Sequence, residues 1–148
     1  MGPGTAVTGL AIAPHVPELK RGLAALTRAG AGLDGRLSEL VKTRVSQMNG
    51  CAHCVDLHAA ALRADGEDPR RVDVLPAWRS SRLFDPRERA ALALAEALTG
   101  LASSAPAAAV YEEAVTELGE EAAALVAATT IGINAWNRFM VASGAQED

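Results

Sequence analysis

Residues 34–58 read DGRLSELVKTRVSQMNGCAHCVDLH, and the organisation of the whole chain turns on this stretch. Asp34 is a residue type that caps helix N-termini, and Leu37, Leu40, Val41, Val45 and Met48 recur at the spacing of one helix face. Asn49-Gly50 breaks that helix, because Asn and Gly tolerate the left-handed turn that ends one. A new helix starts at about Cys51 and runs to Ala64, where Asp65-Gly66 stops it.

The same grammar extends in both directions. Upstream, Pro17 opens a helix through about Arg28, ended by Ala29-Gly30-Ala31-Gly32, and His15 falls in the irregular stretch before it. Downstream, Asp68-Pro69 caps a short helix followed by Pro76-Ala77-Trp78, and Asp85-Pro86 opens another to about Thr99. Pro106–Leu118 and Glu120 to about Ser143 form the last two, parted by Gly119, with Gly132 a soft spot in the final helix. No segment alternates with the period of a strand. The expected fold is therefore all-α, a compact bundle of about six to seven helices in a single domain spanning 1–148, with flexible ends at about 1–14 and 144–148.

The chain has 148 residues, 49% hydrophobic but only 3% aromatic, and 32 are alanine. A core so poor in rings needs closely apposed small-residue helices or burial between subunits, which points to a homo-oligomer. The formal charge is −4 with no basic block, which argues against nucleic acid and anionic membranes as partners. Residues 6–13 lack a basic flank and are broken by Thr8 and Gly9, with Pro14 just beyond, and Ala6 spoils a Met1-Gly2 myristoylation signal. No run approaches the roughly 20 apolar residues that span a bilayer, so the expected compartment is the cytoplasm.

Cys51 and Cys54 are the only cysteines. In a reducing compartment a lone C-x-x-C is a redox pair or half of a metal site. Cys51, Cys54 and His58 stand at i, i+3 and i+7 of one helix and share a face. The first turn of that helix offers unpaired N–H groups and a positive dipole end, which favour a thiolate. His58 is placed to take the thiol proton, and the Asn49-Gly50 turn folds Glu39 back toward the far imidazole nitrogen, where a carboxylate orients the ring. Asp56 and His53 lie off that face. Two thiols one turn apart can also close a disulfide, so a sulfenic acid on one has its resolving partner beside it.

These residues carry a resemblance. Glu39, Cys51, Cys54 and His58, with eleven residues before the C-x-x-C and three after it, resemble the motif of the alkylhydroperoxidase D-like proteins of the carboxymuconolactone decarboxylase superfamily. The run from Glu39 to Gly50, then Ala77-Trp78-Arg79, Phe84, residues 87–92 and 96–99, and Ile133 to Arg138 are similar as well, so the likeness covers about residues 15–143. It implies an all-helical homo-oligomer, a trimer or hexamer, with thiol-dependent peroxidase activity and no cofactor or metal. It also implies a proton relay of Glu39, the two cysteines and His58, which His53, in the slot between the cysteines, joins. The partners are then a small-molecule hydroperoxide and a protein or dithiol reductant, with Cys54 attacking peroxide and Cys51 resolving the sulfenic acid.

Three other readings stand beside it. A non-catalytic oligomer could sense oxidation or scaffold partners through the same disulfide. Cys51, Cys54 and His58 with His53 or Glu39 could hold zinc, although structural zinc sites usually join two ligand clusters. A decarboxylase of the superfamily would leave the cysteine pair idle. Elsewhere, Trp78, Trp136 and Phe139 are expected as core or interface anchors, Asn134, Asn137 and Arg138 as pairing residues, and Arg79, Arg82, Arg87 and Arg89 as a solvated surface.

Overall fold

A computed structural model describes residues 8–145. Among them are eight α-helices: α1 (Ile12–His15), α2 (Pro17–Ala29), α3 (Gly35–Asn49), α4 (Ala52–Ala64), α5 (Pro69–Val74), α6 (Pro86–Thr99), α7 (Ala108–Leu118) and α8 (Glu120–Ala142). A 3-10 turn, Leu75–Ser80, follows α5. Seven of the eight are the expected helices; the additional one is α1, a single turn that takes in His15. The segment before it is tied down, since Leu10 N–H donates to the Ala142 carbonyl at 2.7 Å. Residues 1–7 and 146–148, the outer parts of the expected flexible ends, lie outside the described residues.

The caps read from sequence are in place. Asp34 accepts from Leu37 N–H, and Asp85 and Glu88 form a reciprocal capping box at the start of α6. Gly50 ends α3 at φ 66°, ψ 32°, the left-handed conformation. The seventh helix begins later than expected: Ala107 is extended at ψ 145°, so Pro106 belongs to the connection. Helix α8 runs unbroken through Gly132, where a Cβ would make an ordinary contact, 3.6 Å from the Leu26 carbonyl oxygen of α2.

Helices α3 and α6 divide two apolar cores. On one side Leu37, Val41 and Val45 of α3 meet Ala91, Leu94 and Ala95 of α6, with Val126 and Ile133 of α8 completing the layer. On the other, Leu40 and Leu92 meet Leu62 of α4 and Leu75, Trp78 and Phe84 of the connecting segment. Buried alanines let the helices approach closely, which is how the chain builds a core with few rings. Trp78 and Phe139 are buried as anchors, as expected. Among the long helices α2 packs chiefly on α8, which leaves space between it and α3–α4.

Polar groups lock the layers. Glu96 accepts from Arg44 Nε and Trp78 Nε1, each at 2.8 Å, and from Arg79 at 3.0 Å. Burial alone would raise the Glu96 carboxyl, but these donors and cations outweigh it and hold it below its ordinary range. The arginine group is not uniformly solvated surface. Arg82 and Arg87 are exposed, but Arg89 donates to the carbonyls of Trp78, Arg79 and Ser81, where the 3-10 turn ends and leaves acceptors unpaired. Arg79 lies 4.4 Å over the Trp78 ring. Asn134 and Asn137 pair α8 with α3, as their polarity suggested. Among the described residues no helix is long and apolar enough to cross a membrane.

Candidate active site

The left-handed turn at Gly50 lets α4 fold back against α3, and its first residues carry the cysteines. Cys51 is the N-cap of α4, and its Sγ accepts from Cys54 N–H at 3.4 Å. The two are joined as a disulfide and are 2% and 3% exposed. Cys51 N–H donates to the Ser46 carbonyl, so the turn is anchored to the last coil of α3.

His58, one turn beyond Cys54, meets Glu39 of α3: Nδ1 and Oε2 are 2.7 Å apart. That contact leaves Nε2 as the nitrogen available to other groups, and His58 stands at i+4 from Cys54, a spacing that puts Cβ atoms about 5–6 Å apart on one helix face. The other Glu39 oxygen accepts from Lys42 Nζ at 3.2 Å. Half-burial would raise the Glu39 carboxyl, yet the hydrogen bond and charge of His58, with Lys42 beside it, hold it below its ordinary value of 4.5.

Glu39, Lys42, Cys54, His53 and His58 all line one cavity of about 620 Å³; Cys51 does not. Its opposite wall is apolar and comes from α2 and α8, including Leu26, Ile133, Trp136 and Met140. Trp136 was expected only as an anchor; it anchors through Nε1, which donates to Thr27 Oγ1 at 2.8 Å, but its ring also lines the cavity. Thr129, whose buried hydroxyl has no hydrogen-bond partner among the described residues, lines the cavity too. A Cβ at Gly30 would come within 2.7 Å of that hydroxyl, so the glycine keeps this end open. Lys42 and the α2–α8 wall escaped sequence reasoning. Lys42 was findable at i+3 from Glu39; the wall depends on long-range contacts.

The site therefore holds a thiol pair, an imidazole fixed by a carboxylate, and an apolar chamber that reaches one sulfur. Helix position favours a thiolate on Cys51, which receives the first-turn N–H; access and the imidazole favour Cys54. Among the described residues no three His, Cys, Asp or Glu side chains cluster as a metal site would need.

Residues 14–97 match the carboxymuconolactone decarboxylase family. The chain belongs to that family. An uncharacterised Bacillus subtilis (strain 168) protein, YdfG, is 39% identical over 106 residues, 72% of each chain. Two crystal structures share the fold of this family member. One, from Agrobacterium tumefaciens, is a protein of unknown function provisionally designated the antioxidant defence protein AhpD; it superposes with a TM-score of 0.89 at 30% identity, covering 95% of this chain and 98% of that one. The other, an uncharacterised peroxidase-related protein with an alkylhydroperoxidase AhpD core, comes from Ralstonia eutropha JMP134. It gives a TM-score of 0.78 at 25% identity over 92% of this chain and 74% of its own. The protein is thus an AhpD-like member of the carboxymuconolactone decarboxylase superfamily.

Proposed function

We propose that the protein is a thiol-dependent peroxidase that reduces hydroperoxides through Cys51 and Cys54. The observation that carries this reading is that Cys54 and a His58 held by Glu39 line the same apolar cavity, with a second cysteine bonded to the first from behind. His58 takes the Cys54 proton, and the thiolate attacks the terminal oxygen of R–O–OH. The O–O bond breaks as the S–O bond forms, leaving Cys54 a sulfenic acid, and the departing alkoxide takes the proton from His58. The Cys51 thiol then attacks the Cys54 sulfur, which closes the disulfide and releases water. A protein or small dithiol restores both thiols by two exchange steps. His53, which also lines the cavity, is assigned to the same relay.

The acting unit on this reading is a homo-oligomer, supported by apolar side chains left in solvent, including Ile131 at 57% exposed and Tyr111 and Val115 one turn apart on α7. Light scattering on the folded protein should return a multiple of the 15.3 kDa chain mass.

The test uses the two single cysteine variants. Reduced Cys51→Ser treated with an organic hydroperoxide should accumulate a sulfenic acid on Cys54 that a dimedone probe traps, while Cys54→Ser should not react. A trapped Cys51 would reverse the roles. Rapid, reversible disulfide formation without sustained turnover on any dithiol would instead favour an oxidation sensor.

A further inference from the structure

The chamber is larger than a peroxide group requires, and its charges are unevenly committed. Two lysines line it, Lys20 and Lys42. Lys42 is already neutralised by Glu39 at 3.2 Å. Lys20 is exposed and has no ion-pair partner among the described residues; the nearby carboxylate on its own helix, Glu18, is held by Arg21. A cation without a partner at the edge of an apolar chamber offers a ligand one favourable place for a negative charge.

The geometry gives that charge a distance from the rest of the chamber. Lys20 and Thr27 lie on one face of α2, seven residues and so about 10 Å apart along the axis. Thr27 is bonded to Trp136, and Gly30 lies beside Thr129, so α8 runs antiparallel to α2 and Met140 falls toward the Lys20 end. Between these points the wall is Leu26, Ile133, Trp136 and Met140, which has no formal charge. A ligand that reaches from the lysine into the chamber must therefore be apolar for most of its length.

We propose that the cavity is built for an amphipathic carboxylate: an organic hydroperoxide with an extended apolar body, whose carboxylate pairs with Lys20 while its body lies along α2 and α8. The reactive end rests on the peroxidase reading, but carboxylate recognition by Lys20 does not need it. Lys20 is a specificity-determining residue, set to read the end of the substrate that does not react.

The experiment measures binding without turnover. The disulfide form of the full chain is titrated calorimetrically with saturated straight-chain carboxylic acids of increasing length and with the primary alcohols of matching length. Affinity should rise by up to about fourfold per methylene until the chamber is full. The acid should bind about threefold to fivefold tighter than its alcohol, the worth of one exposed ion pair. Lys20→Gln should abolish that preference and leave alcohol binding unchanged, and Lys20→Glu should invert it. Equal binding of acid and alcohol to the unaltered protein, or a preference that survives Lys20→Gln, would overturn the proposal. So would loss of the preference in Lys42→Gln alone. Turnover of the uncharged tert-butyl hydroperoxide by the unaltered protein reports on the peroxidase reading separately, so either idea can fail without the other.

Discussion

Asn137 of α8 donates to Ser46 of α3 at 3.0 Å and accepts from Asn49, also of α3, at 3.0 Å, with its side chain fully buried. Ser46 in turn supplies the carbonyl that holds Cys51 N–H, so this pair sets where the cysteine turn begins. Asn137→Leu should leave the fully buried Ser46 hydroxyl without its partner, Asn49 keeping only Asn134, and cost about 1–3 kcal/mol. Arg138→Ala, on the exposed side of the same helix, should stay within about 0.5 kcal/mol. Urea unfolding of the two variants checks the contrast.

The Glu39–His58 contact makes a kinetic prediction. Glu39→Gln should still fold and still form the disulfide, but should slow the reaction with peroxide by roughly 10-fold to 1000-fold, and His58→Ala should slow it at least as much. Because the carboxylate acts through the imidazole, the double variant should be little slower than His58→Ala alone. Stopped-flow oxidation of the reduced thiols across pH decides it: a rate within about twofold of the unaltered protein for Glu39→Gln, or full additivity, would remove the relay.

Glu39 and Glu96 make a stability prediction with a definite sign. Both carboxyls are held below 4.5 in the folded chain, so below that pH the unfolded chain takes up protons first. Their stabilisation is complete above 4.5 and is lost as pH falls toward and through the lower folded values. Unfolding midpoints measured from about pH 6 to about pH 3 should drop steeply for the unaltered protein. For the double Glu39→Gln, Glu96→Gln variant the drop should be shallower from a lower starting point.

Two glycines should respond differently to the same substitution. Gly50 sits at φ 66°, ψ 32°, a left-handed conformation that side chains can enter at a cost, and a Cβ there would meet nothing. Gly119, between α7 and α8, sits at φ 84°, ψ 161°, a region essentially reserved for glycine, also with open space around it. Gly50→Ala should therefore cost about 1–2 kcal/mol, and Gly119→Ala clearly more, with thermal unfolding as the measure.

Legibility in the sequence followed range. Asp34, Asp85-Pro86, Asn49-Gly50 and the i, i+3, i+7 set of Cys51, Cys54 and His58 are local signals, and the helices and the shared face follow from them. Glu39 was reachable because one short turn separates its helix from α4. Trp136, Thr129 and Gly30 enter the cavity only through the crossing of α2 on α8, about a hundred residues apart in the chain, and no periodicity announces such a crossing. Arg89 looked like solvated charge because its acceptors are carbonyls, which carry no mark in a sequence.

The burial of the disulfide has a consequence for traffic. Cys51 is closed off, and Cys54, almost as buried, lines the chamber. In a thiol–disulfide cycle the oxidant and the reductant would then share one doorway and have to take turns in it. Each would crowd out the other when in excess, and the reductant would have to bring a slim, projecting thiol.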